Sequence, residues 1–196
     1  MMRKIVLLIS LTISFYNLHA QAFKINENRA SFGVGLGWKN NASYKEPGIS
    51  RTRFWPSPNV LIERSVIPIE DVGVIAAGAQ FGFHHGSGKR DAIPNSVKES
   101  WTEVFFVPRI ALYFQELFYD YDFPENIDWY AGVGFGFNYV SHHFSEDIPN
   151  IHDRNAFKLG YNFFVGGRYY FTPKAAFFAE FGYGLSYLNA GITINY

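Results

Sequence analysis

The sequence predicts an all-β fold, an eight-stranded antiparallel up-and-down transmembrane β-barrel. Three observations predict it. Eight segments alternate bulky apolar residues with small or polar ones, and helix-period patterns are absent. Many of these segments run about 10–14 residues, against about 5–6 in soluble sheets and about 9–11 in a tilted membrane strand. The face opposite the aromatic one is mostly glycine with few charges, a poor surface for water.

The chain starts with a pattern of its own. Arg3 and Lys4 form a short basic region, Ile5 to Ile13 is apolar, and Ala20-Gln21-Ala22 offers an A-x-A cleavage site. This predicts a secretory signal peptide over residues 1–20, cut after Ala20 or Ala22, with the barrel domain over 21–196. A membrane anchor is the competing reading. The apolar run is well under the ~18 residues that a spanning helix needs. No other segment approaches that length without charge or glycine. A membrane-spanning mature chain must therefore use a closed barrel, in which every backbone group is paired.

The eight segments fall near 30–39, 57–66, 71–84, 101–115, 128–142, 156–171, 175–187 and 189–196. In the first, Phe32, Val34, Leu36 and Trp38 alternate with Ser31, Gly33, Gly35 and Gly37. The second carries Glu63 on its polar side. In the third, Ile75, Ala77, Ala79, Phe81 and Phe83 oppose Val74, Ala76, Gly78, Gln80 and Gly82. In the fourth, Val104, Phe106, Ile110, Leu112 and Phe114 oppose Glu103, Arg109 and Gln115. In the fifth, Trp129, Val133, Phe135, Phe137 and Tyr139 oppose Gly132, Gly134, Gly136 and Asn138. In the sixth, Phe157, Leu159, Tyr161, Phe163 and Val165 oppose Lys158, Asn162 and Arg168. The seventh sets Phe177, Phe181, Tyr183 and Leu185 against Glu180, Gly182, Gly184 and Ser186, and the eighth ends on Tyr196.

Alternation does not say which face points out. A soluble barrel, such as a lipocalin-like binder, would turn the Phe/Leu face inward and leave the glycine face in water. The inverted arrangement gives the apolar face to lipid and packs the small, polar face into a narrow lumen, which eight strands leave just wide enough for side chains.

Connections agree with the inverted arrangement. With both termini in the periplasm, the outside loops near 40–56, 85–100 and 143–155 are long, and the periplasmic turns near 67–70 and 172–174 are short. Two connections depart from this pattern. Residues 116–127 form a long acidic link with Glu116, Asp120, Asp122 and Glu125, and the last outside turn at Leu188-Asn189 is tight. Trp38, Trp55 and Trp101 near the outer ends, and Trp129, Tyr169 and Tyr196 near the periplasmic ends, are expected to form two aromatic girdles.

Composition excludes several classes of function. Formal net charge is zero, and removal of Arg3 and Lys4 from 17 basic residues leaves 15 against 17 acidic ones, so nothing favours nucleic acid. There is no Cys, which removes disulfides, thiol nucleophiles, thiolate metal sites and a lipid-modified N-terminal Cys.

The C-terminal third resembles a known family. Gly166-Gly167-Arg168-Tyr169-Tyr170-Phe171-Thr172, Phe177-Phe178-Ala179-Glu180-Phe181-Gly182-Tyr183-Gly184 and Leu188-Asn189-Ala190-Gly191-Ile192-Thr193-Ile194-Asn195-Tyr196 look like the last strands of small outer-membrane β-barrel proteins of Bacteroidetes type. That family is similar in architecture to the OmpA membrane domain and OmpX. The resemblance implies a place in the outer membrane, among lipid and lipopolysaccharide. It also implies recognition by the barrel-assembly machinery through a terminal aromatic residue, here Tyr196. No wall-binding domain is expected after Tyr196. The family implies no defined activity, and a monomer is expected.

Candidate chemistry is sparse. Glu63, Arg109, Arg168 and Glu180 fall on the inferred lumen face at similar depth, with Arg168 and Glu180 diagonal neighbours across the 172–174 hairpin. They are expected to form a buried charge network of two acids and two bases. His84, His85, His142, His143 and His152 lie at strand tops or in outside loops with Asp91, Glu146, Asp147 and Asp153, a composition that suits a divalent metal but has no specific ligand spacing. Some barrels of this size modify lipid A as deacylases or acyltransferases using Ser and His. Ser141-His142-His143 with Glu146, and His85-Gly86-Ser87, are the candidate neighbours here, and Ser186-Tyr187-Leu188-Asn189-Ala190-Gly191 resembles the deacylase region without its preceding His. Neither pattern amounts to a catalytic set, so no catalytic residue, cofactor or metal is expected. Lys39, Lys45, Arg51 and Arg53 beside Phe54 and Trp55 suit lipopolysaccharide phosphates.

Overall fold

The computed structural model describes residues 25–36, 49–91, 96–114, 116–118, 124, 126–144, 154–183 and 186–196. The predicted leader, Trp38, Lys39, Lys45, Glu146, Asp147, His152 and Asp153 lie outside these residues.

The strands are β1 (Asn28–Leu36), β2 (Ile49–Phe54), β3 (Ser57–Ile69), β4 (Gly73–Asp91), β5 (Ser96–Tyr113), β6 (Ile127–Phe144), β7 (Arg154–Thr172), β8 (Ala175–Tyr183) and β9 (Leu188–Asn195). β1 pairs antiparallel with β3, each strand from β3 to β9 pairs antiparallel with the next, and β9 returns to β1, so the sheet closes on itself. The ring has eight members. The short strand β2 pairs with β4 alone and continues the course of β3 beyond the break at Trp55-Pro56. The protein is an all-β, up-and-down, eight-stranded antiparallel barrel.

Burial follows the two-residue period with the faces inverted. Phe32, Phe81, Phe106, Phe135, Phe163, Phe177 and Phe181 are exposed on the outer wall, while Ser31, Asn59, Gln80, Arg109, Asn138 and Thr193 are buried inside. In a closed sheet one face is the lumen by construction, and here that face holds the polar side chains.

Local chemistry sets the turns. Asp71 adopts φ 58° and Gly73 φ 142° in the hairpin between β3 and β4. A Cβ at Gly73 would lie 2.0 Å from the Tyr113 carbonyl oxygen, so only glycine opens β4 there. Between β7 and β8, Thr172 Oγ1 accepts hydrogen bonds from the backbone N–H groups of Lys174 and Ala175 at 3.3 and 2.9 Å.

Several expectations need correction. Leu188 and Asn189, expected as the last outside turn, lie in β9 opposite Phe181 and Glu180, and the outside connection near 40–56 contains β2. The outside connection 85–100 is mostly strand: β4 and β5 stay in register from His85↔Thr102 to Asp91↔Ser96. The period-two pattern runs on in this stretch, with Gly86, Gly88, Glu99 and Trp101 buried. Trp101 is 2% exposed and is no girdle residue. It shares the inner face of β5 with Glu103 and Arg109, as its odd position in the alternation dictates. Trp55, Tyr169 and Tyr196 are exposed as expected.

Candidate functional site

The lumen concentrates the charge of the barrel. Near the end where β1 begins and β9 ends, Arg29 on β1 meets Asp128 on β6 at 2.8 Å, and the Tyr170 hydroxyl donates to the same carboxylate at 3.0 Å. One layer further in, Arg168 on β7 pairs with Glu63 on β3 and contacts the Tyr113 hydroxyl. Tyr113 donates to Glu63 at 2.9 Å, and Arg168 Nε donates to Thr193 Oγ1 at 3.2 Å. Above them Arg109 on β5 reaches Glu180 on β8 through Nη2–Oε1 at 2.7 Å and Nη1–Oε2 at 3.3 Å. Its Nε stands 3.3 Å from Glu63. Tyr130 donates to Glu180 at 3.0 Å.

The four residues singled out from the sequence meet in one network. Arg168 and Glu180 are diagonal in the register, since Arg168 faces Phe178 and Gly166 faces Glu180. Each reaches across the lumen instead, Arg168 to Glu63 and Glu180 to Arg109. The network is also larger, with three arginines against Glu63, Asp128 and Glu180. Its buried charges balance, as buried ions require, and the partly exposed Glu27 stands 3.7 Å from Arg29. Arg29 and Asp128 were missed. Their signal was parity: Arg29 precedes Ser31 by two on the inner face, and Asp128 precedes Tyr130 by two.

Aromatic rings space the ions. Tyr113 and Tyr130 stack with centroids 4.9 Å apart. The Arg109 guanidinium lies 3.6 Å from the Phe164 ring centroid, and that of Arg168 lies 4.5 Å from the Tyr130 centroid. Such contacts bind guanidinium more firmly when water is excluded.

Amides follow toward the loop end. Gln80 Nε2 donates to Asn59 Oδ1 at 3.0 Å, Asn59 Nδ2 donates to Asn189 Oδ1 at 2.9 Å, and Asn189 Nδ2 reaches Glu180 at 3.4 Å. A small cleft above Glu180 is lined by Gln80, Asn162, Ser186 and Asn189.

Among the described residues the histidines fall on opposite faces of their strands. Neighbours on a strand face opposite ways. His84 is buried inside, whereas the His85 Nδ1 lies 3.1 Å from Thr102 Oγ1 on the outer face. His142 Nδ1 lies 2.9 Å from Glu99 Oε1, and His143 is exposed. Among the described residues no group of three His, Asp or Glu could hold a metal ion. The same alternation separates Ser141 from His142, and His85 turns to Thr102 rather than to Ser87. Tyr196 is exposed at the barrel end, where its N–H donates to the Asn28 carbonyl at 3.0 Å.

Fold and lumen together define an inside-out β-barrel with an ion-paired interior. Among solved structures the chain is similar to the N-terminal β-barrel domain of OprF from Pseudomonas aeruginosa, with 13% identity, a TM-score of 0.44, and coverage of 88% of this chain and 98% of that one. It is also similar to Ail, the attachment invasion locus protein of Yersinia pestis, with 12% identity, a TM-score of 0.41, and coverage of 88% and 96%. The structure of outer membrane protein Ail in a phospholipid bilayer nanodisc gives 13% identity, a TM-score of 0.39, and coverage of 87% and 99%. No family model matches the chain, and no curated protein matches it.

Proposed function

We propose that this protein is an integral outer-membrane β-barrel with a plugged polar lumen, which displays its loops outside the cell in a structural or interaction role. The observation that carries the reading is the inversion of faces. A wall of exposed Phe, Leu, Ile and Val encloses buried Arg, Glu, Asp and Asn, an arrangement stable in lipid and costly in water. The layered ion pairs and rings support a closed lumen, because eight strands leave room for side chains and little else. The signal-peptide pattern and the C-terminal resemblance support export, and assembly by the barrel machinery. A lipid-modifying or metal-dependent role has weaker support, since alternation parts Ser141 from His142 and the His85 imidazole contacts Thr102.

Cell fractionation and planar-bilayer recording test the proposal together. The protein is expected in the outer-membrane fraction, with heat-modifiable mobility on gels and no stable open conductance level. Recovery as a folded, monodisperse protein from detergent-free buffer would overturn the membrane reading. A persistent open level would overturn the plugged lumen alone.

A further inference from the structure

Toward the loop end, the outer wall changes chemistry without changing face. Phe83, Val104 and Tyr139 form the last bulky row across β4, β5 and β6. The next outward rows in register are His85, Thr102 and Ser141, then Ser87, Ser100 and His143, then Lys89 directly opposite Lys98. The intervening residues turn inward. His84, Gly86 and Gly88 on β4 and Glu99, Trp101 and Glu103 on β5 are buried. Among the described side chains the carboxylates of Glu99 and Glu103 are thus withdrawn from the outer face, while both lysines are exposed on it. Asp91, two residues beyond Lys89, ends the strand.

Like charges directly opposite on paired strands repel, because their Cβ atoms lie about 4.5–5.5 Å apart. Among residues whose side chains are described, neither Lys89 nor Lys98 has an ion-pair partner. An anion placed between them removes the repulsion. The His85–Thr102 contact at 3.1 Å adds a polar row between the lysines and the apolar wall.

We propose that this face seats the phosphorylated headgroup of an anionic outer-leaflet lipid, whose acyl chains lie along Phe83, Val104 and Tyr139. The inference rests on the membrane reading above and adds the lipid class and its seat. Continuity favours a lipid over a soluble anion. An apolar row, hydroxyl and imidazole rows and an ammonium pair follow one another along the same strands, in the order of acyl chains, backbone hydroxyls and phosphates in a phosphorylated glycolipid. Two lysines at an anionic surface give a preference of roughly tenfold or more, and salt weakens it.

The full chain is refolded into nanodiscs of phosphatidylcholine, with and without bis-phosphorylated lipid A. Insertion is read by heat-modifiable mobility, and retained lipid by native mass spectrometry. Wild type is expected to retain lipid A over phosphatidylcholine by about tenfold. The Lys89→Gln/Lys98→Gln variant should lose that preference while inserting normally. The Lys89→Arg/Lys98→Arg variant should keep it, and excess inorganic phosphate should not displace the lipid. Equal retention by wild type and the Gln variant, or displacement by inorganic phosphate, overturns this inference and leaves the membrane reading intact. Failure of wild type to insert even into phosphatidylcholine overturns the membrane reading and this inference with it.

Discussion

Arg109 and Glu180 face each other across the lumen from β5 and β8 and share two hydrogen bonds, of 2.7 and 3.3 Å. Both are buried, so neither can return to water if its partner is lost. Arg109→Leu alone is expected to destabilise the barrel by about 3–5 kcal/mol, read by urea unfolding from lipid vesicles. The double variant Arg109→Leu/Glu180→Leu should lose much less, because it leaves Arg29 and Arg168 balanced by Asp128 and Glu63. Equal losses in single and double variants would contradict the pairing.

Tyr130 supports the same carboxylate, with its hydroxyl 3.0 Å from Glu180. Tyr130→Phe removes one hydrogen bond to a charged group and keeps the ring against Tyr113. The expected cost is about 1.5–3 kcal/mol in the same unfolding assay. In the Glu180→Leu background the cost should shrink, because the acceptor is gone.

The barrel was legible because its period is two along most of each strand, broken only locally by bulges such as Ser65/Ile67 and Tyr170/Thr172. Parity put each outward Phe on one face and Glu63, Arg109, Arg168 and Glu180 on the other, and the glycine content of the second face told which one points inward. Trp101 lies near a strand end, where a girdle residue is expected, yet its parity with Glu103 turns it inward. The choice of partners was not legible. Register sets Arg168 diagonal to Glu180, but side chains this long cross the lumen, and the opposite wall decides whom they meet. Arg29 and Asp128 were missed because they sit at strand starts, where boundaries are least certain. Strand length past the apolar rows was hidden as well, because His, Ser, Gly and Lys read as loop until the register shows them paired.

If the outer wall faces acyl chains, charge there should cost by depth. Val133 is outward and lies midway along the bulky stretch of β6. Val133→Arg is expected to cost about 2–4 kcal/mol in phosphatidylcholine vesicles. Asn155 is outward and pairs with Ser141 beyond the bulky rows, so Asn155→Arg should cost about 0–1 kcal/mol. Equal costs at the two positions would place both in the same solvent and contradict a lipid-facing wall.

The indole of Trp101 occupies the space that Gly86 leaves open. A Cβ at Gly86 would lie 2.4 Å from Trp101 Cζ2, closer than any rotamer adjustment of a Cβ can relieve. The ring must therefore move if the glycine is lost. Trp101 is one of four tryptophans, so the measurement needs a chain in which Trp38, Trp55 and Trp129 are replaced by Phe. In that chain Trp101 should emit at short wavelength, as a buried indole does. Gly86→Val should shift its emission to the red and cost about 1–3 kcal/mol through overpacking. Trp101→Leu in a Gly86→Ala background should recover most of that stability, since the added methyl then enters vacated volume. An unchanged emission maximum in Gly86→Val would mean that the indole never lay against β4, and that Trp101 faces the membrane surface.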